Sequence, residues 1–196
     1  MQEVRAFIAI NLPEEIIQRL VDHIQIIKDL VPNGVIRWVR KENIHLTLKF
    51  LGNAALADIT NISASMQFLA EKHHPFDLEV TSFGCFPNLK SPRTLWIDIR
   101  ESSGTLLKVQ SALEEILEGH GFSQEQRRFH PHLTIGRVNR NIQRTDRMEL
   151  GQSLAQVKIG HIGTVHVKDF RLMRSDLRPS GAVYSQLSVA SLKEAG

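Results

Sequence analysis

Apolar residues along this chain recur with two alternating periods. Arg5-Ala6-Phe7-Ile8-Ala9-Ile10 is a short apolar run, the pattern of a buried strand. Asn11-Leu12-Pro13-Glu14-Glu15 then reads as a helix start, with Asn11 as the cap, an early proline and two carboxylates in the first turn. Ile16, Ile17, Leu20, Ile24, Ile27 and Leu30 follow at helical spacing and are expected to face a sheet. Pro32-Asn33-Gly34 breaks that pattern. Residues 35–39 are expected as a strand, 41–43 as a turn, and 45–51 as an alternating strand that ends at Leu51-Gly52-Asn53. A helix is expected over 56–71, with Ile59, Ile62, Met66 and Leu69 inward. Residues 76–83 alternate Phe76, Leu78 and Val80 against Asp77, Glu79 and Thr81, a strand pattern, and 84–93 read as a loop.

The same order then begins again. A strand is expected at 94–99 and a helix at 102–120, with Leu106, Val109, Leu113, Ile116 and Leu117 inward. Phe129 leads into an alternating strand from His132, followed by a weaker helix at 141–157 and a strand at 164–172. The turn Arg178-Pro179-Ser180-Gly181 precedes a last strand at 183–192. Strand, helix, strand, helix, strand therefore occurs twice. A shift of 87 residues carries His45 onto His132, the first strand onto the one at Thr94, and Phe76 onto Gly163. One doubling of this length points to two related lobes within one domain, 1–196, with repeats near 5–87 and 92–174 and the last strand completing the sheets. The expected fold class is α+β: two pseudo-symmetric lobes, each a mainly antiparallel sheet with outer helices, facing each other across a cleft.

The repeat carries chemistry. His45-Leu46-Thr47-Leu48-Lys49-Phe50 and His132-Leu133-Thr134-Ile135-Gly136-Arg137 both read His-x-Thr. Residues i and i+2 of a strand share a face, so each motif presents an imidazole beside a hydroxyl. Two such strands at one cleft offer two proton-transfer groups and two neutral hydrogen-bond donors, a set suited to a phosphodiester. An imidazole titrates near pKa ~6.5, so a pair can hold one proton between them at neutral pH. One histidine can deprotonate water and the other can protonate a leaving oxygen, while Thr47 and Thr134 donate to the non-bridging phosphoryl oxygens. Hydroxyls in place of extra lysines should leave the histidines near their ordinary pKa values, with two pH limbs near neutrality. The alternation alone does not say which histidine is acid and which is base. Arg137, five residues after His132, is placed to steady a phosphate. Phe50 and Tyr184 are candidate stacking surfaces for a base.

Composition narrows the picture further. Hydrophobic residues make 42% of the 196 and charged residues 23%, an ordinary globule rather than a disordered chain. The net charge of +3 permits an anionic partner without demanding one. A single cysteine, Cys85, excludes an intrachain disulfide and fits a reducing cytoplasm. No secretory leader or membrane-length apolar run is apparent. His130 and His132 are spaced as metal ligands could be, but Pro131 separates them and no cysteine or carboxylate accompanies them at a familiar ligand spacing, so no metal is expected.

At these residues the sequence resembles the two-histidine (2H) phosphoesterase superfamily, and within it the RNA 2′,3′-cyclic phosphodiesterases long labelled 2′-5′ RNA ligases. The resemblance is carried by Arg5-Ala6-Phe7-Ile8-Ala9-Ile10, by the block from His45 to Gly52, by Phe83-Gly84-Cys85-Phe86-Pro87 and by Pro131 to Arg137. It implies a hydrolase without metal or other cofactor that opens an RNA 2′,3′-cyclic phosphate end to a 2′-phosphomonoester. It assigns His45 as proton donor and His132 as proton acceptor. It further implies weak ATP-independent 2′-5′ ligation through the same site, RNA ends such as those of tRNA fragments as partners, and a cytoplasmic monomer. Two competing readings are a phosphodiesterase for a small cyclic nucleotide or an ADP-ribose cyclic phosphate, and a non-catalytic module that binds RNA ends. Length dependence on oligonucleotides separates the first of these, and intact histidines in both motifs speak against the second.

Overall fold

The computed structural model describes residues 2–179 and 181–194. The chain runs β1 (Glu3–Asn11), α1 (Glu14–Leu30), β2 (Ile36–Trp38), a 3-10 turn (Lys41–Asn43), β3 (His45–Ala55), α2 (Asp58–Ala70) and β4 (Phe76–Phe86). It continues with β5 (Thr94–Arg100), α3 (Thr105–Glu118), β6 (His132–Val138), α4 (Arg144–Leu154), β7 (Gly163–Val167), β8 (Asp169–Arg178) and β9 (Gly181–Ser191). Among the described residues no helix is long and apolar enough to cross a membrane.

Several boundaries differ from the pattern. Asn11 stays in β1, and Pro13 takes the cap position of α1, its carbonyl accepting from the amides of Ile16 and Ile17. Leu30, at the frayed end of α1, is 43% exposed rather than inward. The strand from Phe76 runs on to Phe86, because Gly84, Cys85 and Phe86 keep pairing with β5 where a loop was expected. The strand expected at 164–172 is two strands, β7 and β8, separated at Lys168. Ser180 of the expected turn lies outside the described residues.

All pairings are antiparallel, in the order β7-β4-β5-β6-β3-β1-β8-β9, with β2 also on β6. Instead of two separate facing sheets there is one curled sheet. Its halves join where β3 meets β6, through the pair Leu46↔Leu133. The two halves of the sequence are interleaved in it. β4, from the first half, lies on β5, and β8, from the second, lies on β1.

Register repeats as well as order. Ala9↔Thr47, Ile10↔Leu46 and Asn11↔His45 pair β1 with β3. Trp96↔Thr134, Ile97↔Leu133 and Asp98↔His132 pair β5 with β6, each residue 87 beyond its counterpart. Both ladders then slip by one residue, leaving Leu48 in one and Ile135 in the other unpaired. A bulge turns the next side chains. As a result Lys49 and Gly136 fall on the buried side, and Phe50 and Arg137 return to the open one.

The helices cover one face of the sheet. Leu20 and Ile27 of α1, Ile62 and Met66 of α2, and Leu106, Leu113 and Leu117 of α3 are at most 1% exposed. They join Ile8, Leu46, Leu48, Ile97, Leu133 and Ile135 in one core. Phe7 and Ala9 point the other way and form a small second cluster with Met173, against which Tyr184 packs. β1 is thus buried on both faces, which accounts for its unbroken apolar run.

Candidate active site

The open face of the β3–β6 junction carries the residues that the two motifs single out. Leu46 pairs with Leu133 on the core side. In an antiparallel pair this sets His45 across from Thr134 and Thr47 across from His132. Directly opposed side chains lie about 5 Å apart at Cβ and diagonal ones about 7–8 Å apart, which makes the four a compact group.

Both imidazoles are held in the same way. Nδ1 of His45 lies 2.9 Å from the carbonyl oxygen of Asn43, and Nδ1 of His132 lies 2.7 Å from that of His130. A carbonyl oxygen can only accept, so Nδ1–H donates in each case. Nε2 is therefore left as the atom free to exchange a proton with a ligand. Asn43 and His130 are themselves 87 residues apart, so these bonds also obey the repeat.

The walls around the two rings differ. His45 stacks on Phe7 at 4.8 Å between centroids and takes the edge of Tyr184 at 5.3 Å. His132 meets Phe86 edge-on at 5.1 Å, and Phe86 and His130 both pack on Trp96. The Trp96 ring in turn packs over Gly84, where any Cβ would overlap it. Asn11 is the β1 neighbour of His45, and Asp98 is the β5 neighbour of His132. Burial pushes the His45 imidazole down to about 4 despite the Asn43 carbonyl, and it also lowers His132 below its ordinary 6.5. Titration near neutrality, expected from the absence of lysines, is therefore displaced to acid, because withdrawal from water disfavours the imidazolium.

Thr47, Phe50, His132, Thr134 and Arg137 line one hollow of about 700 Å³. His45 lines a second, of about 300 Å³, with Asn11, Lys41 and Tyr184. Strand pairing rather than a shared hollow brings His45 to the other three. Tyr184 packs on the His45 ring and does not line the larger hollow. Phe50 is 69% exposed, and Arg137 donates to Oγ1 of Thr94 at 3.3 Å. Among the described residues, no three of His, Cys, Asp and Glu gather in a way that could hold a metal ion.

One part of the site has no motif. The far wall of the larger hollow is the stretch 123–130, between α3 and β6. It is pinned from beneath by Lys49, whose Nζ meets Glu114 in an ion pair and donates to the Ser123 carbonyl at 2.9 Å. Glu114 also accepts from the amide of Glu125 and from Gln110. Strand parity sets Lys49 on the open face with His45 and Thr47, and the bulge at Leu48 turns it inward, so alternation hides this anchor.

The chain matches the model of the 2′-5′ RNA ligase superfamily over residues 12–174. It belongs to that superfamily. A relative from Methanothermobacter thermautotrophicus named RNA 2′,3′-cyclic phosphodiesterase is 32% identical over 97% of this chain and 100% of its own. One of the same name from Thermotoga maritima is also 32% identical, over 94% and 93%. Among solved structures, a Thermus thermophilus protein superposes with TM-score 0.77 at 26% identity over 98% of this chain and 100% of its own. Escherichia coli LigT complexed with 3′-AMP gives 0.77 at 25% identity over 97% and 99%. The superfamily is thus the one that the two His-x-Thr strands resemble, and these two solved structures share the fold along nearly the whole chain.

Proposed function

We propose that this protein hydrolyses RNA 2′,3′-cyclic phosphate ends to 2′-phosphomonoesters, with His45 and His132 exchanging protons at opposite sides of one phosphorus. The observation that carries the reading is the Leu46↔Leu133 pair, which gathers two imidazoles of like tautomer and two threonine hydroxyls on one face. The names of the relatives supply the substrate class.

Nε2 of His132 takes a proton from water as the water oxygen attacks phosphorus. The P–O3′ bond breaks, and Nε2–H of His45 delivers a proton to the departing O3′. The phosphate stays on O2′. Thr47 and Thr134 donate to the two non-bridging oxygens, where negative charge is held throughout. The split into donor and acceptor follows the resemblance. Arg137 and Phe50, equivalent positions in the two repeats, offer a guanidinium and an exposed ring at the rim, and so give a symmetric centre a polarity. Tyr184 acts on the substrate through the face of His45 that it covers. A 5′-hydroxyl taking water's place would give weak 2′-5′ ligation without ATP. The same reading places a monomer in the cytoplasm, acting on ends such as those of tRNA fragments.

The reading is tested with an oligonucleotide ending in a 2′,3′-cyclic phosphate, incubated with EDTA in excess. The expected product carries phosphate at the 2′ position only. No turnover, a 3′-phosphate product, or activity lost to the chelator would each overturn it.

A further inference from the structure

The two repeats agree at the quartet and differ beside it. The 87-residue offset carries Asn11 onto Asp98. Asn11 of β1 is paired in register with His45 of β3, and Asp98 of β5 with His132 of β6. Directly paired residues of antiparallel strands point to one face, with Cβ atoms about 5 Å apart. Each histidine therefore has a side chain of the same shape beside it, an amide at His45 and a carboxylate at His132. The Asp98 side chain is 19% exposed, and its one ion-pair partner among the described residues, Arg100 at 3.3 Å, is 66% exposed. Water around Arg100 weakens that pair, so Asp98 keeps its field at His132.

The other groups around the two rings leave Asp98 as the deciding charge. Facing His132 are His130 and Arg137 on its own segment, Asp98 on β5, and Glu125, Arg127 and Arg128 on the wall across the hollow. Glu125 and Arg127 are paired with each other, and β3 and β4 bring the uncharged Thr47 and Phe86. Burial lowers the His132 imidazole below 6.5; the His130 carbonyl opposes this, the His130 ring and Arg137 add to it, and Asp98 is the one side chain that opposes it. Around His45 stand Asn11, Tyr184, Glu42 and the ion pair of Lys41 with Glu14, and only the Asn43 carbonyl opposes burial. Carbonyl oxygens already fix both tautomers, so what Asp98 adds at His132 is charge. His132 is neutral at pH 7 and must become a cation as it takes a proton from water. Building on the phosphodiesterase reading, we infer that Asp98 stabilises the imidazolium formed on His132 as water is deprotonated, and that this charge, absent beside His45, makes His132 the proton acceptor. Asp98 itself touches no substrate and neither gains nor loses a proton; it is a positioning residue that acts through His132.

The test is titration of the histidine ring protons by NMR in the wild-type protein, Asp98→Asn and Asn11→Asp, with His45→Ala and His132→Ala spectra to assign the two rings. Asp98→Asn should move the His132 midpoint to lower pH by about half a unit or more and leave His45 in place. Asn11→Asp should do the converse, raising the His45 midpoint and leaving His132 in place. In hydrolysis of a cyclic phosphate end at pH 7, Asp98→Asn should lower kcat roughly 3-fold or more. KM should stay level or fall, because an anion has left the surroundings of an anionic substrate. Asp98→Glu should recover part of the lost kcat. A His132 midpoint that does not move in Asp98→Asn overturns the inference, as does a His45 midpoint that does not move in Asn11→Asp. So does a moved His132 midpoint with kcat unchanged, or a loss of rate that comes wholly through KM. If the wild-type protein turns over no cyclic end, the hydrolase reading has failed by itself, and the two midpoints still decide whether Asp98 acts on His132.

Discussion

His132→Ala and His45→Ala are each expected to lower kcat on a cyclic phosphate end by ~10²–10⁴, with a smaller change in KM. The size follows from what each ring supplies. Its Nδ1–H is held by a backbone carbonyl, so all its proton traffic passes through Nε2, and alanine removes that atom altogether. The two losses should not add. When either proton transfer is gone the other has little left to assist, so the double variant is expected within about tenfold of the worse single one. The readout is steady-state hydrolysis, with circular dichroism to show an intact fold. His45 contributes ring packing between Phe7 and Tyr184, and His132 contributes it against Phe86, so both variants should also melt somewhat earlier. Wild-type kcat in either variant removes that histidine from the mechanism.

Glu114→Gln is expected to destabilise the protein by about 3–5 kcal/mol, measured by urea unfolding, because it strands the Lys49 ammonium in the interior. The Lys49 side chain is 2% exposed and that of Glu114 10% exposed, so water cannot compensate for the lost partner. At roughly 2–4 °C per kcal/mol for a chain of this size, the melting temperature should fall by on the order of 10 °C. Lys49→Met combined with Glu114→Leu should recover much of that loss, since the charge that needed a partner is gone. Function should suffer even in the recovered variant. Lys49 and Glu114 bind the Ser123 carbonyl and the Glu125 amide, the anchors of the wall facing Thr47 and His132, so KM should rise. A loss under about 1 kcal/mol for Glu114→Gln would show that water reaches the pair.

What the chain revealed in advance was local. Alternation at His45–Leu48 and His132–Ile135 gave the exposed and buried faces of both motif strands, because side-chain direction in a strand follows from parity alone. Helical spacing at Ile16–Ile27 and Leu106–Leu117 likewise gave the buried faces of two helices. The 87-residue offset extended further than element order, since the same register and the same bulge recur at Leu48 and Ile135. Which strand lies beside which was not legible. β4 crosses to the other half of the sheet and β8 crosses back, and nothing in a strand's own pattern names its neighbour. Lys168 splits a run that reads as one strand, and Pro13 rather than Asn11 caps α1. The acid displacement of both histidines was also hidden, since it arises from burial against Phe7, Tyr184 and Phe86, residues distant in sequence. The wall at 123–130 was invisible for a similar reason: its anchor, Lys49, lies more than 70 residues away.

The pH dependence of hydrolysis tests most directly whether two buried imidazoles share the work. The acceptor must be neutral, so the rate falls as pH drops below its pKa; the donor must be protonated, so the rate falls as pH rises above its own. Burial holds His45 near 4 and His132 below 6.5, and the limbs belong to the coupled pair. For kcat/KM, which reports the free enzyme, the expected result is a bell with its maximum between about 4 and 6.5. In kcat the alkaline limb should move to higher pH, because a bound phosphodiester anion favours the imidazolium. Each single histidine variant should keep only one limb. A flat profile, a single limb in the wild-type protein, or two limbs that survive in both variants would contradict catalysis by this pair.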